Sequence, residues 1–183
     1  MKRRHFIGLS SSLLTTQLLA QEQTPKQQMC IFTKGLQSLS YEALAKKVAG
    51  ADVTGIEATI RQGGHIEPEM VPDELPKMVE ALRKQGLDIT VMASSINDVS
   101  NPFTEQTLRV AAGLGIKRYR LQYFRYTTDE TIASQLSEWR AKLKDLAALN
   151  NELGIQGLYQ NHAGEKYFGA GIWDLAEVGW NFR

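Results

Sequence analysis

The sequence predicts an α/β fold, a (β/α)8 barrel represented here by about five strand–helix units. Three observations carry this expectation. Helical stretches end in glycine and pass straight into strand-like runs at Gly86 before Leu87–Val91, at Gly115 before Ile116 and at Gly154 before Ile155. Glycine closes helices because it tolerates the left-handed conformation, and repeated helix–glycine–strand units specify a parallel sheet. Five such units lie between Met29 and Arg183, whereas a closed barrel takes eight, so the chain reads as the front part of an incomplete barrel.

The first unit opens with the strand Met29–Thr33 and the loop Lys34-Gly35. Its helix, about Ser40 to Ala49, has Tyr41, Leu44, Ala45 and Val48 on one face. The second strand begins near Val53, with Ile56, Ala58 and Ile60 alternating with Glu57, Thr59 and Arg61. The apolar set is expected to meet the helices, which turns the polar set toward the barrel axis. Charges there need partners, and a Glu57–Arg61 pair is expected. The exit loop Gln62–Glu69 contains Gly63 and Gly64, which let backbone approach a ligand, and is expected to set His65 over the barrel mouth. Pro72 opens the next helix, whose buried stripe is Leu75, Met78, Val79 and Leu82.

The third strand, Leu87–Ala93, alternates less cleanly and leaves through the polar loop Ser94–Asp98. After the Asn101-Pro102 turn, a short helix buries Leu108, Ala111 and Ala112. The fourth strand is Ile116–Tyr123, with Tyr119 and Leu121 toward the helices and Arg118, Arg120 and Gln122 toward the axis. Thr127 with Glu130 matches a capping box; the long helix behind it carries Ile132, Leu136, Trp139, Leu143 and Leu146 as a core stripe. The fifth strand, Ile155–Gln160, runs into Asn161-His162-Ala163-Gly164, and a fifth helix starts around Gly171.

Composition excludes several function classes. Lys and Arg number 21 against 20 acidic residues, so no global field favours nucleic acid or an anionic membrane. The hydrophobic share of 43% belongs to a globular chain. Cys30 is the sole cysteine, which rules out an intramolecular disulfide or a cysteine zinc cluster; a buried structural thiol is expected. Phosphate-loop, dinucleotide-fingerprint and nucleophile-elbow motifs are missing.

Ahead of the fold, Arg3-Arg4-His5-Phe6 precedes a short apolar run from Leu9 to Ala20. The run is too short and mild for a membrane span, and the arrangement looks like a twin-arginine export signal. Residues 1–20 are therefore expected to be a signal peptide, 21–28 a linker and 29–183 the barrel portion. The protein is expected in the periplasm or outside the cell.

His65, Ser94, Asn97, Arg120, Gln122, Gln160, Asn161 and His162 fall at or beyond the carboxyl ends of four strands. In a parallel α/β barrel those ends share the rim that carries the active site. Such neutral and basic hydrogen-bonding groups suit a polyhydroxylated ligand, a sugar. His65 and His162 could also ligate a metal, but two histidines without carboxylates make an incomplete site.

Five segments together resemble the xylose-isomerase-like sugar phosphate isomerase/epimerase family of TIM barrels, nearest to its exported members. These are Phe32-Thr33-Lys34, Arg61-x-Gly63-Gly64-His65-x-x-Pro68-Glu69, Asp73-Glu74-Leu75-Pro76, Tyr159-Gln160-Asn161-His162 and Gly169-Ala170-x-x-Trp173-Asp174-Leu175. The resemblance implies a divalent metal (manganese, magnesium or zinc) at the carboxyl rim. It also implies proton transfer beside a carbonyl through an enediolate, with the metal stabilising the oxyanion.

The family's strand-five glutamate, a metal ligand and acid/base group, falls on Gln160, which can lend a carbonyl oxygen but not shuttle a proton. The remaining ligands are implied on strands six to eight, outside this chain, so this piece alone is expected to be inactive. Arg61, His65, Arg120, Asn161 and His162 are implied as substrate-binding residues, and the proton-abstracting base is not identified. A carbohydrate-binding barrel that has lost catalysis is the alternative. A metal-dependent endonuclease on the same barrel is disfavoured by the near-neutral charge and the export signal. Unpaired edges on the first and fifth strands predict self-association into a homo-oligomer.

Overall fold

The computed structural model describes residues 29–179; the expected signal segment, the linker and residues 180–183 lie outside the described residues. The strands β1 (Cys30–Phe32), β2 (Gly55–Ile60), β3 (Asp88–Ser94), β4 (Arg118–Arg120) and β5 (Gln156–Leu158) form one parallel sheet in sequential order. They alternate with α1 (Tyr41–Ala49), α2 (Val71–Arg83), α3 (Thr104–Gly113), α4 (Ile132–Leu153) and α5 (Ile172–Glu177). Gly86, Gly115 and Gly154 hold φ of 72°, 83° and 62°, so each closing glycine occupies the left-handed region that its place in the sequence implies.

The core lies between the sheet and the helices. Ile56, Ala58 and Ile60 of β2 meet Leu44 and Val48 of α1 and Leu75, Met78 and Leu82 of α2, all buried. The other sheet face, here the inner face, carries Phe32, Glu57, Thr59, Ala93, Arg118 and Arg120, in register across the strands. β3 alternates poorly because it contains a bulge. Ile56 pairs with Ile89 and Glu57 with Val91, so Thr90 is passed over. Gly55 fits this bulge, since a Cβ there would stand 2.7 Å from Thr90 Oγ1 and 2.1 Å from the Asp88 carbonyl oxygen.

Several expectations are corrected. β4 and β5 keep only three ladder residues each. Beyond them the chain still extends, but its bonds go elsewhere: Gln122 N–H donates to Ile96 O and Tyr126 N–H to Lys166 O. The cap of α4 is Thr131, whose side chain accepts from Ser134 N–H, not Thr127. Gln135, buried behind it, donates to Thr127 O and Glu130 O and accepts from Thr127 N–H, fastening the preceding turn. Ile132, at the helix start, is 59% exposed; the buried stripe begins one turn later at Leu136. Ala112 is only partly buried. Cys30 is exposed, because on β1 it points to the inner face beside Phe32. Partial desolvation, then the Glu57 charge, push its thiol above the usual value, so it is not an activated thiolate.

A second apolar cluster supports the rim. Phe124, Leu136, Trp139, Phe168 and Val178 pack together under the segments that follow β4 and β5, with Phe124 stacked on Trp139 at 5.1 Å. Among the described residues no helix is long and apolar enough to cross a membrane.

Candidate functional site

The carboxyl ends of the strands share one edge of the sheet, and Arg120 stands at its centre. Its Nε donates to Glu57 Oε1 at 2.6 Å, its Nη1 donates to Gln160 Oε1 at 2.6 Å, and its Cζ lies 5.2 Å from the centroid of the Phe32 ring. Tyr123 adds a donor to the same Gln160 oxygen at 3.3 Å. Residues of β1, β2 and β4 and the segments that follow β4 and β5 therefore meet at one guanidinium. The Arg120 and Glu57 side chains are 15% and 20% exposed, desolvated enough for the pair to matter yet open to a ligand. The pair spans β3 because Ala93, in register with both Thr59 and Arg120, offers only a methyl group.

The expected Glu57–Arg61 pair does not form. Residues four apart in a strand are separated by about 13 Å, whereas Arg120 reaches Glu57 from across the sheet. Arg61 lies at the start of the β2 exit loop, partly buried, without an ion pair among the described residues.

Beside Arg120 the exit loops of β4 and β5 pair with each other. Arg125 and Tyr167 form an antiparallel bridge, and Phe168 N–H donates to Phe124 O. The alternation of this segment buries Phe124 and leaves Tyr123 and Arg125 on the other side. Tyr123 meets His162 edge-on at 5.2 Å, and His162 stacks on Tyr167 at 4.3 Å. Arg125 lies over the far ring at 4.7 Å. His162 is thus held in an exposed aromatic group adjoining Gln160, while Asn161 is exposed next to it. The sequence reading had passed over Phe32, Tyr123, Arg125 and Tyr167; the Tyr-Phe-Arg-Tyr alternation was the available signal.

His65 lies at the carboxyl end of β2 but turns to its neighbouring loop. Its Nε2 is 2.8 Å from Leu39 O, its ring packs 5.6 Å from Tyr41, and its Nδ1 is buried without a partner. Together with the Gln37 bond to Gly63 O, it staples the β1 and β2 exit loops. Gly64 serves that loop too, because a Cβ there would stand 2.6 Å from Thr59 O. Ser94 and Asn97 are likewise internal: Ser94 Oγ donates to Arg120 O and accepts from Ile96 N–H, and Asn97 accepts from Asn101. Gln122 is exposed beyond β4.

The residues present do not fit a divalent metal at Gln160. Its oxygen already accepts from a guanidinium and a phenol, and a cation at that oxygen would face the Arg120 charge at close range, costly even at an effective dielectric of about 20. Among the described residues no three His, Cys, Asp or Glu side chains are grouped to hold a metal.

No protein-family model matches the sequence, and no curated protein matches it in sequence. Solved structures do match in fold. A 3-keto-D-glucoside 4-epimerase from E. coli superposes with a TM-score of 0.62 at 11% identity, over 86% of this chain and 66% of that one. A xylose isomerase domain-containing protein from Salmonella typhimurium gives 0.58 at 22% identity, over 84% and 58%. The fold is that of the xylose-isomerase-like barrels. A probable 3-DHS dehydratase from Bacillus anthracis shares this fold too, with a TM-score of 0.61 at 14% identity, over 84% and 60%. The chain thus spans between 58% and 66% of the length of these three structures, and its five parallel strands correspond to an incomplete xylose-isomerase-like barrel. Members of this fold group generally use divalent metals, which sets Gln160 apart.

Proposed function

We propose that this chain belongs to a sugar isomerase or epimerase and forms the wall of its barrel that binds and orients the substrate. The observation behind this reading is the Glu57–Arg120–Gln160 bridge on the inner face of a xylose-isomerase-like fold, at the end where such barrels place their chemistry. Arg120 is held at three points before any ligand arrives, so its remaining donor capacity is preorganised for sugar oxygens. Tyr123, His162 and Asn161 extend the wall, and aromatic rings there offer faces for the C–H side of a sugar ring.

The chemistry in such a protein is transfer of a proton beside a carbonyl, through an enediolate. This chain's own residues bind, orient and shield; Gln160 has no proton to exchange, and Glu57 is committed to Arg120. The proton-moving carboxylates are proposed to lie outside it, and the chain alone is proposed to be inactive. Export through a twin-arginine signal in residues 1–20 belongs to the same proposal and rests on the Arg3-Arg4-His5-Phe6 arrangement.

The engagement of Gln160 by Arg120 favours a second reading, a carbohydrate-binding barrel without catalysis. Two measurements separate them. Monosaccharide titrations of the chain test sugar binding, and deuterium incorporation next to the carbonyl in heavy water tests proton transfer by the longest polypeptide the gene encodes. Binding with exchange supports the isomerase, binding without exchange supports the binder, and an inert protein in both assays removes both.

A further inference from the structure

We propose that this rim recognises a neutral, unphosphorylated sugar through the Glu57–Arg120 ion pair and without a metal at Gln160. The inference rests on the sugar-handling function proposed above and narrows it to a substrate class and a mode of recognition.

The charge balance comes first. The Arg120 guanidinium meets Glu57 at 2.6 Å, so the centre of the wall carries no net charge to attract a phosphate or carboxylate. A phosphate drawn to Arg120 would have to compete with a carboxylate already in place and would be repelled by it. A hydroxyl group has the opposite relation to such a pair, because it both donates and accepts. An arginine and a carboxylate fixed side by side, each partly exposed, offer donor and acceptor to adjacent hydroxyls at once.

The surroundings fit the same ligand. Phe32, 39% exposed on the inner face, lies under the guanidinium, and the Tyr123–His162–Tyr167 group stands on the other side of Gln160. Aromatic faces flanking a neutral hydrogen-bonding centre match a sugar ring, which is apolar on its C–H faces and polar at its edge. The position that would have to give an oxygen to a metal has instead given it to Arg120 and Tyr123. The guanidinium therefore occupies the role of fixed positive group on this side of the barrel.

The test uses the whole 183-residue chain in calorimetric titrations with a panel of unphosphorylated aldo- and ketohexoses and their monophosphates, in EDTA and again with MnCl2. A neutral hexose should bind in EDTA, with an affinity that Mn2+ changes by less than about twofold. Arg120→Lys and Glu57→Gln should each weaken it at least about tenfold, with cooperative melting retained. A parallel Mn2+ titration followed by electron paramagnetic resonance should give the same uptake for the natural chain and for Gln160→Ala. Sugar binding that appears only with Mn2+, a preference for the monophosphates, or Mn2+ uptake lost in Gln160→Ala overturns this inference and leaves the sugar-handling function standing. If no sugar binds under either condition, that function falls and the inference falls with it.

Discussion

Arg120 and Glu57 are paired at 2.6 Å although they stand on β4 and β2, with β3 between them. The bridge is possible because β3 presents the methyl group of Ala93 in register with Arg120. One guanidinium thereby ties the second, fourth and fifth units together at the end of the sheet where ligands are handled.

A double-mutant cycle tests this bridge. Glu57→Gln and Arg120→Met should show a coupling of about 1–3 kcal/mol in urea unfolding, since removing either partner leaves a partly buried charge without its counterpart. Glu57→Gln with Arg61→Met should be additive within about 0.5 kcal/mol. Coupling to Arg61 in place of Arg120 would return the sequence-based pairing.

Gly157 of β5 lies against the helix layer, where a Cβ would stand 2.8 Å from Leu121 Cδ1 and 3.2 Å from the Tyr119 hydroxyl. That hydroxyl donates to Asn150 Oδ1 at 3.0 Å, tying β4 to α4. Gly157→Ala should therefore cost about 1–3 kcal/mol. Gly113, with nothing within 4 Å of its added Cβ, should gain up to about 1 kcal/mol on the same change. Thermal melts of the two variants should shift in opposite directions.

The start of α4 separates two candidate caps. Thr131→Ala removes the acceptor of Ser134 N–H and should cost about 1 kcal/mol. Thr127 engages Gln135 only through its backbone, so Thr127→Ala should lie within about 0.5 kcal/mol of the natural chain. Equal losses at both positions would show that the capping box forms after all.

Asp98 makes the β3 exit loop sensitive to acid. Burial alone pushes its carboxyl up, but bonds from Ser100 N–H, Ser100 Oγ and Lys142 Nζ together outweigh that and hold it below its usual range. A carboxylate lowered in the folded state contributes stability above its unfolded value, about 3.9, and loses it as pH falls through the lower folded value. Stability of Asp98→Asn should therefore fall less steeply than that of the natural chain below about pH 4. Parallel slopes for the two proteins would remove Asp98 from the acid response.

The fold was legible because its signals are local or periodic. Gly86, Gly115 and Gly154 mark helix ends by a backbone property of one residue, and Ile56, Ala58 and Ile60 mark a half-buried strand by their alternation. Arg120, Gln160 and His162 were recognisable as rim residues from their place at strand ends. Ser94 and Asn97 occupy similar places, yet fold their polar atoms inward to serve the loop. Thr131 lost to Thr127 as the expected cap because both offer the same side chain, and only the course of the preceding turn distinguishes them.

From its sequence alone the chain had its five units, their order, and the face each strand turns to the helices, since these follow from steric limits and periods of two and 3.6 residues. Tertiary structure decided which charges meet. Glu57 lies 63 residues from its partner, and the choice depended on sheet register, on the small side chain of Ala93, and on exit loops that bring Tyr123 and Gln160 to the same guanidinium. Ion pairs form between groups that packing brings within a few ångströms and partly shields from water, and separation along the chain does not encode that distance.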